Sequence, residues 1–171
     1  MSRPPIVVRL SDFSISRAIR NVEEYKRDLQ RKTEILCERV AEAIRERAAV
    51  GFSGAVVDIN QTDSVSVSAS VTMERQGNRF VVTASGSEAI FIEFGAGVTY
   101  NTAVGGSVHP LGQELGFVIG SYGPRGGQRA WLYYENGTLR WTEGTPAQMP
   151  MYNAVQSVID DIPGIAREVF A

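Results

Sequence analysis

The chain is short of the residues that carry most protein chemistry. Its 171 residues include one cysteine, Cys37, and one histidine, His109. A lone cysteine excludes an internal disulfide and any CxxC metal site. A lone histidine excludes a histidine-based metal cluster or a catalytic His pair. No run of 18 apolar residues occurs, so nothing reads as a membrane span. The opening MSRPPIVVRL is too short and too polar for a signal peptide. The protein is therefore expected in the cytoplasm, unless it is carried elsewhere as part of an assembly.

Charge of one sign is lacking too. Seventeen basic residues face 19 acidic ones, a formal net charge of −2, which gives no global pull towards nucleic acid or an anionic membrane. Nine of the basic residues lie between Arg17 and Arg47, but seven acidic residues are interleaved with them. That segment reads as a mixed helix surface and not as a basic stripe.

What is present fits one ordinary domain, 43% hydrophobic and 21% charged. A chain of this length buries roughly 70% of its unfolded surface, so it needs neither disulfide nor metal. After an amino-terminal arm (residues 1–13, with Ile6 to Leu10 extended after Pro4-Pro5), a hydroxyl around Ser14 to Ser16 can cap a helix running to about Ala48. Its apolar stripe is Ala18, Val22, Tyr25, Leu29, Leu36, Val40, Ile44 and Ala48. Glu23–Arg27 and Asp28–Lys32 are spaced as i,i+4 pairs on the wet side. Cys37, beside Leu36, reads as a small buried hydrophobe. At 1.5 Å per residue the helix spans ~50 Å, more than the compact diameter, so it bends or projects towards a neighbour.

Three strand signals follow Gly51 to Gly54. Ala55 to Ile59 is the first. The second alternates Val65, Val67, Ala69, Val71 and Met73 with Ser64, Ser66, Ser68, Ser70 and Thr72. The third, Phe80, Val82 and Ala84, returns after Gly77-Asn78 as a hairpin partner. The hydroxyl face carries no charge until Glu74, and reads as solvated or as a surface meeting a neighbour or a lumen. Later, Trp131 to Trp141 forms a hairpin about Asn136-Gly137. It pairs Leu132 with Trp141 and Tyr134 with Leu139 on an expected core side, and Tyr133 with Arg140 as a cation–π pair. A last helix from about Met149 shows Tyr152, Val155, Val158, Ile159 and Ile162 on one face; Pro163-Gly164 is expected to kink or break it. Strands between terminal helices argue for α+β, with both helices packed on an antiparallel sheet.

Between the two hairpins, residues 97–129 hold nine glycines and no sustained period. Their apolar content, including Tyr100, Leu111, Leu115, Phe117, Ile119 and Tyr122, is too high for a solvated linker. A segment of this kind is best explained by ordering against a partner, with His109 and Arg125 among its polar contacts.

Enzyme chemistry finds little to use. His109 precedes Pro110 in this loop, and no G-x-S-x-G elbow accompanies it. With Glu114 it would give two metal ligands at most. Gly116 to Gly127 lacks the Gly-Lys-Ser/Thr ending of a phosphate-binding loop. Asp160 and Asp161 diverge by about 100° on their helix and cannot act as an acid/base pair. No catalytic residue, cofactor or metal is expected. The rival reading, a small hydrolase using Glu93 and His109, would need those two side chains to converge in a pocket.

Four segments occur in order: Ala89-Ile-Phe-Ile-Glu-Phe-Gly-Ala-Gly97; His109-Pro-Leu-Gly with Glu114-Leu-Gly and Gly120-Ser-Tyr-Gly; Trp131-Leu-Tyr-Tyr; and Thr142-Glu-Gly-Thr-Pro-Ala-Gln-Met-Pro-Met-Tyr-Asn-Ala154. Together they resemble the tail-component family of long-tailed bacteriophages and prophages, whose members act as tail-completion, tail-terminator or neck proteins. The resemblance covers about Ile90 to the carboxyl terminus. It implies a small α+β fold and a non-enzymatic subunit of the virion, assembled in the host cytoplasm as a ring, a hexamer, that binds tail-tube and connector subunits. A head-proximal connector, stopper or minor capsid protein is the alternative within that class. Nucleic acid would meet it only by passing through the lumen.

Glu93 is a carboxylate within an apolar run, a placement costly without partners. In the family this chain resembles, the Glu-Phe-Gly element precedes the long loop. That implies that Glu93, with Phe94, Gly95 and Arg140, anchors the start of that loop, by accepting backbone N–H bonds or by pairing with Arg129 or Arg140. Residues 88–94 read as a short helix stopped by a left-handed Gly95, with a buried strand as the alternative.

Overall fold

The computed structural model describes residues 12–55, 69–86, 88–95, 108–112, 114–116, 131–135, 137–142 and 146–171. The elements are α1 (Asp12–Ser53), β1 (Ser70–Gln76), β2 (Arg79–Ser85), α2 (Ala89–Phe94), β3 (Trp131–Glu135), β4 (Thr138–Thr142) and α3 (Pro150–Phe170). The fold is α+β. Among the described residues the strands form two separate antiparallel hairpins.

The 42 residues of α1 make a rod of about 63 Å. It starts two residues ahead of the expected cap and runs through Gly51 to Ser53. α3 lies antiparallel along its second half. Arg39 reaches Glu168 at 3.1 Å, and Arg47 holds both Ser157 Oγ and the Asp161 carboxylate. At the crossing, Gly51 lets the backbones close, since a Cβ there would stand 2.8 Å from Pro150 Cβ. The β1–β2 ribbon covers another side of α1, where Arg75 pairs with Glu34. Asp28 pairs with Arg31, 2.9 Å away and one residue short of Lys32, whose Nζ lies 6.0 Å from the Phe170 ring.

The turn Gly77-Asn78 sets the β1–β2 register, with Val71 opposite Ala84 and Met73 opposite Val82. Gly77 has φ +65°, as a tight hairpin requires. Ser70 and Thr72 are exposed while Val71 and Met73 are half-buried, which is the alternation anticipated. Residues 56–68, with the first strand signal and the start of the second, lie outside the described set. The core gathers Phe52, Ala89 and Ile92, with Val71, Ala84 and Met151 against them.

Four expectations need correction. Cys37 is exposed, because it sits about 100° round the helix from Leu36 and off the apolar stripe. α3 runs unbroken through Pro163. One lost hydrogen bond is tolerated there, because Ile162, Ile165, Ala166 and Val169 are half-buried along the same stretch. Ile159 is exposed, while Ala154 and Val158 are buried, so the covered face is rotated from the one expected. The β3–β4 register is as anticipated, with Leu132 opposite Trp141, Tyr133 opposite Arg140 and Tyr134 opposite Leu139. Yet Leu132 and Leu139 are 64% and 51% exposed, so their side is not a core face. Alternation defines two faces of a ribbon, but only a covering layer makes one of them a core.

Candidate functional site

α2 is one and a half turns long, placed by burial of Ala89 and Ile92 against Phe52. Of the two conformations the sequence allowed for residues 88–94, the helix is adopted. Gly95 ends it at φ +75°, ψ 164°, a region essentially restricted to glycine and distinct from the left-handed helical stop expected. Its N–H closes onto Phe91 O at 2.8 Å.

This short helix serves the start of α3. Met149 precedes α3 in a left-handed conformation and has no side-chain oxygen to cap it. Pro150 fills the first helical position, where its missing N–H costs nothing. The next two N–H groups need an acceptor, and Glu93 supplies it. Met151 N donates to Oε2 at 2.8 Å and Tyr152 N donates to Oε1 at 2.9 Å. The N–H of Gln148 adds a third link, to Ile92 O at 2.8 Å. A carboxylate here also meets the positive end of the α3 dipole, a favourable contact of about 0.3–2 kcal/mol.

His109 completes the cluster. Its Nε2 lies 3.1 Å from Glu93 Oε1, and its Nδ1 accepts the Leu111 N–H at 3.0 Å. With Nδ1 acting as acceptor, the ring proton belongs on Nε2 and is donated to Glu93. The ring sits between Phe94, centroid 4.4 Å away, and Tyr152, 5.2 Å away at a T-shaped angle. Glu93 and His109 are only 7% and 4% exposed. One carboxylate thus ties together α2, the amino end of α3 and the turn at 108–112.

The two side chains do converge beside a pocket. A groove of about 740 Å³ runs past them, lined by Phe52, Val82, Ile90, Leu111, Tyr152 and Val155 among others. Its walls are mainly apolar. Chemically, the pair is already engaged: one imidazole nitrogen donates to Glu93 and the other accepts Leu111 N–H. Neither nitrogen keeps an unshared lone pair for a substrate proton, so the arrangement acts as a fastener. Among the described residues, no three His, Cys, Asp or Glu side chains converge as a metal site would require.

Glu93 thus takes backbone N–H groups and the imidazole as partners, where the sequence also admitted an arginine. Phe94 packs its ring beside His109, and Gly95 ends α2. Arg140 lies on β4 opposite Tyr133. His109, grouped by sequence with the docking loop, is instead buried; Leu111 and Leu115 are exposed. Tyr100, Phe117, Ile119, Tyr122, Arg125 and Arg129 lie outside the described residues. The sequence brought Glu93 and His109 together only as the requirement of the hydrolase reading; that the pair fastens the start of α3 was not anticipated.

No family model, no curated protein and no solved structure matches this chain. Among the described residues no helix is long and apolar enough to cross a membrane.

Proposed function

We propose that this protein is a structural subunit of the head–tail junction or tail end of a long-tailed phage. In this reading it associates with copies of itself in a ring and docks on tail-tube and connector subunits. Its work is done by complementary surfaces and involves no bond chemistry. The observation that carries the proposal is the first part of α1. Phe13, Ile15, Ile19 and Val22 are 41–74% exposed on a helix that runs past both α3 and the β1–β2 ribbon. An unpartnered apolar stripe on a rigid rod costs solubility unless another surface covers it. The resemblance carried by the four ordered segments supplies the setting in which such a surface has a use. The engagement of both His109 nitrogens weighs against the hydrolase alternative.

The test is genetic and structural. Deleting the coding sequence from the phage or prophage genome that carries it should leave heads and tails that fail to join, or tails of uncontrolled length, in electron micrographs. Mass spectrometry of wild-type particles should find the protein in the virion. Normal particles from the deletion, with no copy of the protein in wild-type virions, would sink the proposal.

A further inference from the structure

The exposed stripe and the apolar groove lie at opposite ends of one unbroken helix. The stripe occupies residues 13–25, and Phe52 forms part of the groove. From Ile19 to Phe52 the rod holds them about 50 Å apart. Because α1 is continuous from Asp12 to Ser53, the chain cannot fold its own stripe into its own groove. A second copy can. We infer that the amino-terminal part of α1 docks in the groove beside Glu93 and His109 of a neighbouring copy, so that copies associate head to tail. The inference rests on the proposed self-assembling role and names the surfaces that perform it.

The two surfaces match in kind. Ile15, Ile19 and Val22 stand at i, i+4 and i+7, the spacing with which an amphipathic helix anchors in an apolar groove. The groove's volume of about 740 Å³ leaves room for several aliphatic side chains. The carboxylate at its edge, Glu93, is already bonded to Met151 N, Tyr152 N and His109, so an apolar occupant strands no unpaired carboxylate. Charge on the helix does not oppose the contact. Residues 12–28 carry four basic and four acidic side chains (Arg17, Arg20, Lys26, Arg27; Asp12, Glu23, Glu24, Asp28), so the docking segment is neutral overall. A donor at one end and an acceptor at the other define a heterologous contact, the type that closes into rings. A stripe pairing with the same stripe of its partner would give a closed dimer instead.

Four samples of full-length protein decide it by sedimentation across a concentration series: wild type, Ile19→Glu, Ile90→Glu, and an equimolar mixture of the two variants. Both substitutions fall on exposed side chains, so thermal melts should match wild type. Leu111→Glu is the second groove variant if Ile90→Glu unfolds. The wild type should associate, and each variant should weaken association about 30-fold. The mixture should form a one-to-one heterodimer and nothing larger, because only one intact stripe meets one intact groove. Association of Ile90→Glu and Leu111→Glu at wild-type strength, a mixture that stays monomeric, or a wild type that stays monomeric would each overturn the inference. Head-to-tail association by a protein absent from virions would keep this contact and remove the phage role. A monomer found in virions would do the reverse.

Discussion

The two halves of α1 have similar apolar spacing and opposite fates. In the second half Ala41, Ala48 and Phe52 are buried, and Arg39 and Arg47 bond across to α3. In the first half Ile19 and Val22 continue the pattern and stay about half exposed. An amphipathic stripe specifies a face and not an occupant. α3 spans 21 residues, about 32 Å, and cannot cover a rod of 42 residues. Among the described residues, α3 reaches only the second half of the stripe.

Substitutions in the two halves should therefore separate cleanly. Phe52→Ala empties the centre of the core and should cost about 3–5 kcal/mol in urea unfolding. Glu93→Ala should follow at about 3 kcal/mol, since it leaves two α3 N–H groups and the His109 ring without their acceptor. Glu93→Gln keeps one acceptor oxygen and should lose less, about 1–2 kcal/mol. If Glu93→Ala unfolded at the wild-type urea midpoint, the fastener reading would be wrong. In the first half, Val22→Ala should move stability by no more than about 0.5 kcal/mol in either direction. A loss of several kcal/mol there would mean that the stripe is covered within the single chain, and the contrast between the halves would collapse.

The smallest effect concerns the surface pair Glu42–Arg45, bonded at 2.5 and 2.8 Å. The hydrogen bonds from Arg45 hold the Glu42 carboxyl below its ordinary range, and the same pair raises Arg45. A depressed carboxyl contributes stability that is complete above the ordinary carboxylate range, about pH 4–5, and is lost as pH falls through the lower folded value. The melting-temperature gap between wild type and Glu42→Gln should thus be small near neutrality and close on acidification. A gap that widens in acid would contradict the pairing.

Much of this molecule was legible from neighbours in the chain. The 3.6-residue period announced α1 and α3, Gly77-Asn78 and Asn136-Gly137 announced the two hairpins and their registers, and the apolar run before Gly95 admitted the helix that forms. These features depend on side chains within a turn or a hairpin of one another, so sequence by itself determines them. What only tertiary structure decided is occupancy: which half of the α1 stripe is covered, that Leu132 and Leu139 face outward, that α3 continues through Pro163, and that Cys37 is left outside. Glu93 illustrates the reason. Its partners stand 16, 58 and 59 residues away, and no local pattern encodes a carboxylate on one helix capping the start of another. Periodicity is fixed by bonds along the chain, whereas burial and capping wait for distant segments to arrive.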